Sequence, residues 1–94
     1  MQPNQVSVAH NPSANRFEVR LEERMAILAY IRTGNHIALV HTEVPDDMEG
    51  RGIGSLLAQT ALEYARENHL VVIPTCPFVS SFIQGHPEYR DLIS

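Results

Sequence analysis

The hydrophobic period changes once along the chain, at a run of three glycines, and this change limits what it can fold into. Ahead of the glycines the period is two. In "RFEVRL", Phe17, Val19 and Leu21 alternate with Arg16, Glu18 and Arg20, which sets apolar groups on one face of a strand and charges on the other. "MAILAYI" (25–31) and "HIALVHTEV" (36–44) are apolar on both parities, the pattern of strands covered on both faces. "NPSAN" (11–15), "LEER" (21–24) and "TGN" (33–35) carry turn chemistry between these runs. The reading is an antiparallel meander of four strands beginning near Val6.

After the glycines the period is helical. Ile53, Leu56, Leu57, Ala61 and Tyr64 fall on one stripe, with Thr60 its polar member, while Gln59, Glu63, Arg66 and Glu67 fall opposite. This predicts an amphipathic helix over 52–68, stopped at Asn68 and His69. "LVVIP" (70–74) reads as a short buried strand ended by Pro74. A helix of about two turns is expected from Pro77, because proline suits a first helical turn. Gly85 closes it, and Pro87 opens a last short turn. The strand–helix–strand crossover makes 70–74 parallel to 36–44. The fold class is α+β: one domain over 1–94, with a meander followed by a helix, a parallel strand and a C-terminal helix.

A chain of 94 residues has a thin core, to which a bound ligand adds noticeable stability. The net charge of −4 argues against nucleic acid or an anionic membrane as the main partner, and no apolar run approaches the ~20 residues of a membrane span. Cys76 is the sole cysteine, so no intrachain disulfide forms, and the first ten residues lack the basic-then-apolar order of a secretory signal. A cytoplasmic protein is expected.

Gly50, Gly52 and Gly54 sit where a strand runs into a helix N-terminus. The first amides of a helix lack intrahelical acceptors and lie at the positive end of its dipole, and glycines let a phosphate approach the backbone. Arg51 adds a formal charge. The competing reading is a tight turn that packs the helix onto the sheet. A P-loop is excluded, because it needs a lysine followed by Ser or Thr after its last glycine. A dinucleotide fold wants its glycines after the first strand of a parallel sheet, and Ser55 stands where its third glycine would be.

"EGRGIGSLL" (49–57) resembles the acyl-CoA loop of the GNAT superfamily of N-acetyltransferases, with Gly52 and Gly54 matching that family's glycines and Glu49 standing where Gln or Arg is usual. Together with "PTCPF" and "HPEY" it looks like a minimal single-domain GNAT-like subgroup, the resemblance covering about 37–89. It implies acetyl-CoA as cosubstrate, held between the splayed ends of the strands before and after the central helix. Glu43 and Val44 would meet the pantetheine through their backbone. Gly50, Arg51, Gly52, Ile53, Gly54 and Ser55 would take the pyrophosphate. Pro77 and Phe78, within 75–78, would line the other side of the thioester. The extra helices that shape the acceptor pocket in larger members have no room here.

Three side chains are candidates for catalysis. Cys76 precedes a helix N-terminus that can lower a thiol pKa, so it would carry an acyl group or protonate departing CoA; otherwise it is a small buried hydrophobe. His41 and Glu43 share a strand parity, and either would deprotonate an amine, against a hydrogen-bonded sheet histidine and a solvated edge carboxylate. Tyr89 is weaker as an acid and reads better as packing. His41, His69, Cys76 and His86 lack paired metal-ligand spacing, so no metal is expected, and Ser80 and Ser81 form no recognisable triad. The leading function is acetyl transfer from acetyl-CoA to a primary amine. The alternatives are an acyl-CoA-binding or sensing module with little turnover, and a protein-interaction domain whose glycine turn is purely structural.

Overall fold

The computed structural model describes residues 6–48 and 50–93. Glu49 of the glycine motif therefore lies outside the described residues. Strands β1 (Ala9–Asn11), β2 (Arg16–Leu21), β3 (Arg24–Thr33), β4 (His36–Glu43) and β5 (Val71–Ile73) form one sheet in the order β1-β2-β3-β4-β5. The first four pair antiparallel, as the meander predicts. The turns between them carry left-handed backbone at Asn15, Glu22 and Gly34, residues in keeping with turn chemistry for the first and last. β5 joins β4 in parallel, Ile37 opposite Val72, because the chain crosses over through helix α1 (Ile53–Glu67). Helix α2 (Pro77–Gln84) follows with Pro77 in its first turn, and a short 3-10 segment spans Pro87–Leu92.

The helices cover one face of the sheet. Phe17 and Val19 from β2, Ala26, Leu28 and Tyr30 from β3, and Ile37 and Leu39 from β4 are buried on it. They meet Ile53, Leu57, Ala58, Ala61, Leu62 and Ala65 of α1. The buried stripe of α1 is turned slightly from the sequence expectation. Leu56 and Tyr64 stand half-buried at its margin, because the small Ala58 and Ala65, with Leu62, let the other side of the helix approach the strands.

β3 departs from its expected double cover. Alternate residues Met25, Ile27 and Ala29 are half-buried on the second face, and Ile31 is 59% exposed. Apolar residues on both parities here reflect a sheet with one helix layer.

α1 ends where Asn68 and His69 predict. His69 adopts φ 56°, its N–H donates to Arg66 O, and Leu70 N–H reaches back to Ala65 O at 2.8 Å. This pair of bonds is a Schellman closure, with Leu70 buried beside it. The C-terminal segment is fastened to the same helix: Arg66 bonds both carboxylate oxygens of Asp91 and the Glu88 carbonyl, and the Tyr89 hydroxyl donates to Glu63 at 2.7 Å.

Candidate active site

β4 and β5 pair over only three residues each, His36–Ala38 with Val71–Ile73, and then part. Past that point Cys76 N–H donates to Leu39 O at 2.8 Å, and α2 begins at the next residue. The gap continues into a cleft of about 340 Å³. One wall is Thr42, Val44 and Met48; another is the turn and first residues of α1, Gly50, Gly52, Ile53, Gly54 and Ser55; Phe78 of α2 closes the third side.

A bulge in β4 decides which side chains reach this cleft. Ala29 pairs with His41 and Tyr30 with Leu39, so Val40 is left over. Ile37 and Leu39 face the helices before the bulge. After it Thr42, opposite Leu28, faces that side, whereas His41 and Glu43, opposite Ala29 and Ile27, face the open side of the sheet. Each alternation is ordinary; the extra residue changes which parity points inward.

Among the described residues no side chain caps the α1 N-terminus. Gly52 caps it with φ 74° and no side-chain bond, and the first intrahelical bond runs from Leu56 N–H to Gly52 O. The amides of Ile53, Gly54 and Ser55 precede that bond at the positive end of a fifteen-residue helix with no acidic residue in its first turn. Asp47, in the preceding 3-10 turn, pairs with Arg24 at 3.3 Å. Gly50 and Gly52 hold left-handed backbone, φ 83° and 74°, with open space where a Cβ would stand. Glycine is required there for conformation. Such an arrangement of helix-end amides suits an anionic group.

Cys76 is 5% exposed, and its Sγ lies 3.4 Å from Thr42 Oγ1. Burial pushes the thiol pKa up, but bonds from the Thr42 hydroxyl and from backbone N–H groups at Val79 and Phe78 outweigh it and leave the thiol below its ordinary range. Cys76 is not itself among the residues that line the cleft, but Thr42, which its sulfur meets, is. His41 Nε2 lies 3.6 Å from Glu43 Oε1, with side chains 62% and 69% exposed. The pair shares a face, as their parity predicts, and that face is not the cleft's.

Of the residues expected around a cosubstrate, Val44, Gly50, Gly52, Ile53, Gly54, Ser55 and Phe78 line the cleft. Glu43 and Pro77 flank it. Arg51 lines a larger neighbouring groove, which continues past Gly50 and Met48 to Arg24 and Asp47. Sequence reasoning missed Thr42 and Met48. Thr42 is hidden by the bulge, and Met48, 2% exposed, by its place in a short turn. His86 stacks on Phe82 and bonds its carbonyl, and Tyr89 is buried against α1, its hydroxyl pushed up to about 12 by burial and by the Glu63 carboxylate. Among the described residues, no three His, Cys, Asp or Glu side chains gather as a metal site.

A splayed β4–β5 pair beside a glycine turn that opens a crossover helix defines the fold class of the GCN5-related acyltransferases. The family model for GCN5-related N-acetyl-transferases matches residues 16–92, and the chain belongs to that family. It is 38% identical over 85 residues to Protein NATD1 of Bos taurus, covering 87% of this chain and 75% of that protein. Against Protein NATD1 of Danio rerio it is 33% identical over 91 residues, covering 92% and 83%. A GCN5-like protein from Staphylococcus aureus, solved by NMR in solution, superposes with a TM-score of 0.72 at 28% identity, covering all of this chain and 91% of that one.

Proposed function

We propose that the protein transfers an acetyl group from acetyl-CoA to a primary amine. The observation that carries this is the parting of β4 from β5 beside the first amides of α1. An extended pantetheine fits the free edge of β4 near Glu43 and Val44 as an added strand. The pyrophosphate meets the amides of Gly52 to Ser55, with Arg51 close by. Val44, Ile53 and Phe78 supply apolar walls. Binding along this length positions the thioester carbonyl near the parting strands, where backbone donors favour the charge that develops on its oxygen.

The amine nitrogen attacks that carbonyl, the carbon–sulfur bond breaks, and CoA leaves as a thiolate that takes up a proton. Cys76, a thiol made easier to ionise by Thr42, serves as that proton donor or as a transient acyl carrier. The proton released by the amine passes to solvent, because His41 and Glu43 stand on the opposite face of the sheet from the cleft.

One observation favours a second reading, an acyl-CoA-binding module with little turnover. His41 and Glu43 are solvent-exposed and turned from the cleft, so no described carboxylate or imidazole lines it. Calorimetric titration with acetyl-CoA, followed by a CoA-release assay over a panel of amines, tests both. Micromolar binding with amine-dependent release supports transfer, binding without release supports the module, and no binding up to millimolar ligand refutes the acyl-CoA reading.

A further inference from the structure

Gly54 differs from the two glycines before it. Gly50 and Gly52 are left-handed and surrounded by open space. Gly54 has ordinary helical backbone inside the first turn of α1, where alanine would make the better helix. Conformation therefore gives no reason for glycine at this position. Space does: a Cβ on Gly54 would lie 2.9 Å from Cζ of Phe78 and 3.3 Å from its Cε2. The nearest ring atom would have to recede by about half an ångström to reach ordinary contact at 3.4 Å. The ring is 42% exposed and stands at the start of α2, so nothing in the core requires it to rest there. It rests on Gly54 and forms the third wall of the cleft. Cys76 stands two residues before the ring, and its sulfur lies 3.4 Å from the hydroxyl of Thr42, which itself lines the cleft.

We infer that Gly54 is glycine to seat the Phe78 ring, and that the seated ring sets the width of the cleft and access through it to the thiol beside Thr42. Phe78 is then a specificity-determining residue, admitting a narrow extended ligand. This deepens the acyl-CoA reading and rests on it only for the identity of that ligand. The alternative purpose of Gly54, close approach of a phosphate to the backbone, makes a different prediction about what removing the ring does.

The test is a double-mutant cycle of Gly54→Ala and Phe78→Ala. Without ligand, Gly54→Ala in the Phe78→Ala background raises the melting temperature by a few degrees, as helix propensity dictates, while in the wild-type background the gain is lost or reversed. With CoA, Gly54→Ala alone weakens binding about tenfold, and the double variant recovers to within about threefold of Phe78→Ala. Iodoacetamide modifies Cys76 about tenfold faster in Phe78→Ala, and Phe78→Leu falls between. Equal thermal gains in both backgrounds would show that the ring does not use the seat. Equal losses of CoA affinity in both would assign the glycine to phosphate, and an unchanged alkylation rate would remove the control of width. If the wild type binds no CoA, the acyl-CoA reading fails, and the melting and alkylation comparisons still decide this inference.

Discussion

Thr42 and Cys76 join β4 to the start of α2 through a 3.4 Å contact between hydroxyl and sulfur, just past the point where β4 and β5 part. The contact depends on the bulge at Val40, since without it Thr42 would face the other side of the sheet. A hydroxyl donating to sulfur favours the thiolate, so the rate of Cys76 alkylation should inflect below pH 9.0, the ordinary value for this thiol. Thr42→Val should move the inflection upward, because burial then acts with less opposition. A pH–rate profile of both proteins checks this, and coincident profiles would exclude the coupling.

Gly52→Ala should destabilise the protein by about 1–2 kcal/mol through the left-handed backbone alone, since a Cβ there meets open space. Urea unfolding measures the loss. A second substitution, Gly52→Asn, should recover part of it, as asparagine tolerates this conformation better than alanine does. Equal losses for the two would point to some cause other than φ.

Tyr89→Phe should cost about 1 kcal/mol at neutral pH by removing the bond to Glu63. The folded protein holds the phenol proton up to about pH 12, whereas the unfolded chain releases it near 10.0. The stability linked to this shift is fully present below pH 10, where both states are protonated, and is lost as pH rises toward 12. The phenylalanine variant should therefore show a shallower alkaline decline across that window. Parallel declines would mean the hydroxyl is not what holds the segment down.

Much of this architecture is legible in the residues. Alternation in 16–21, the glycine and asparagine turns, and the change to helical spacing at Ile53 suffice for the meander, α1 and the parallel return of β5. Two things were not legible, for physical reasons. Ala38-Leu39-Val40 is apolar throughout, so no polar residue marks where one extra position enters β4 and exchanges Thr42 for His41 on the inner face. And the three glycines look alike in sequence, although two serve the backbone and the third stands against an aromatic ring twenty-four residues away. The first distinction needs strand register and the second needs tertiary contact; neither is a property of a local pattern.

Leu57→Ala should be among the more damaging single changes, at about 2–5 kcal/mol, because the side chain is fully buried between α1 and the sheet. Thermal or denaturant unfolding checks it, and acetyl-CoA at a hundredfold excess over its dissociation constant should return about 2.7 kcal/mol if the ligand binds the folded form. A loss below 1 kcal/mol would mean that the core collapses around the vacancy.

The short pairing of β4 with β5 also bears on the order of assembly. Each hairpin of the meander closes through neighbours in the chain, whereas β5 reaches β4 only after the whole of α1 has been laid down between them. Such a contact is costly to close early, so the parting strands should come together after the folding barrier has been crossed. A ligand lodged there would then lengthen the lifetime of the native state and leave the refolding rate nearly unchanged. Stopped-flow chevrons with and without acetyl-CoA should differ in the unfolding limb alone; a ligand that speeds refolding would place the cleft in the nucleus.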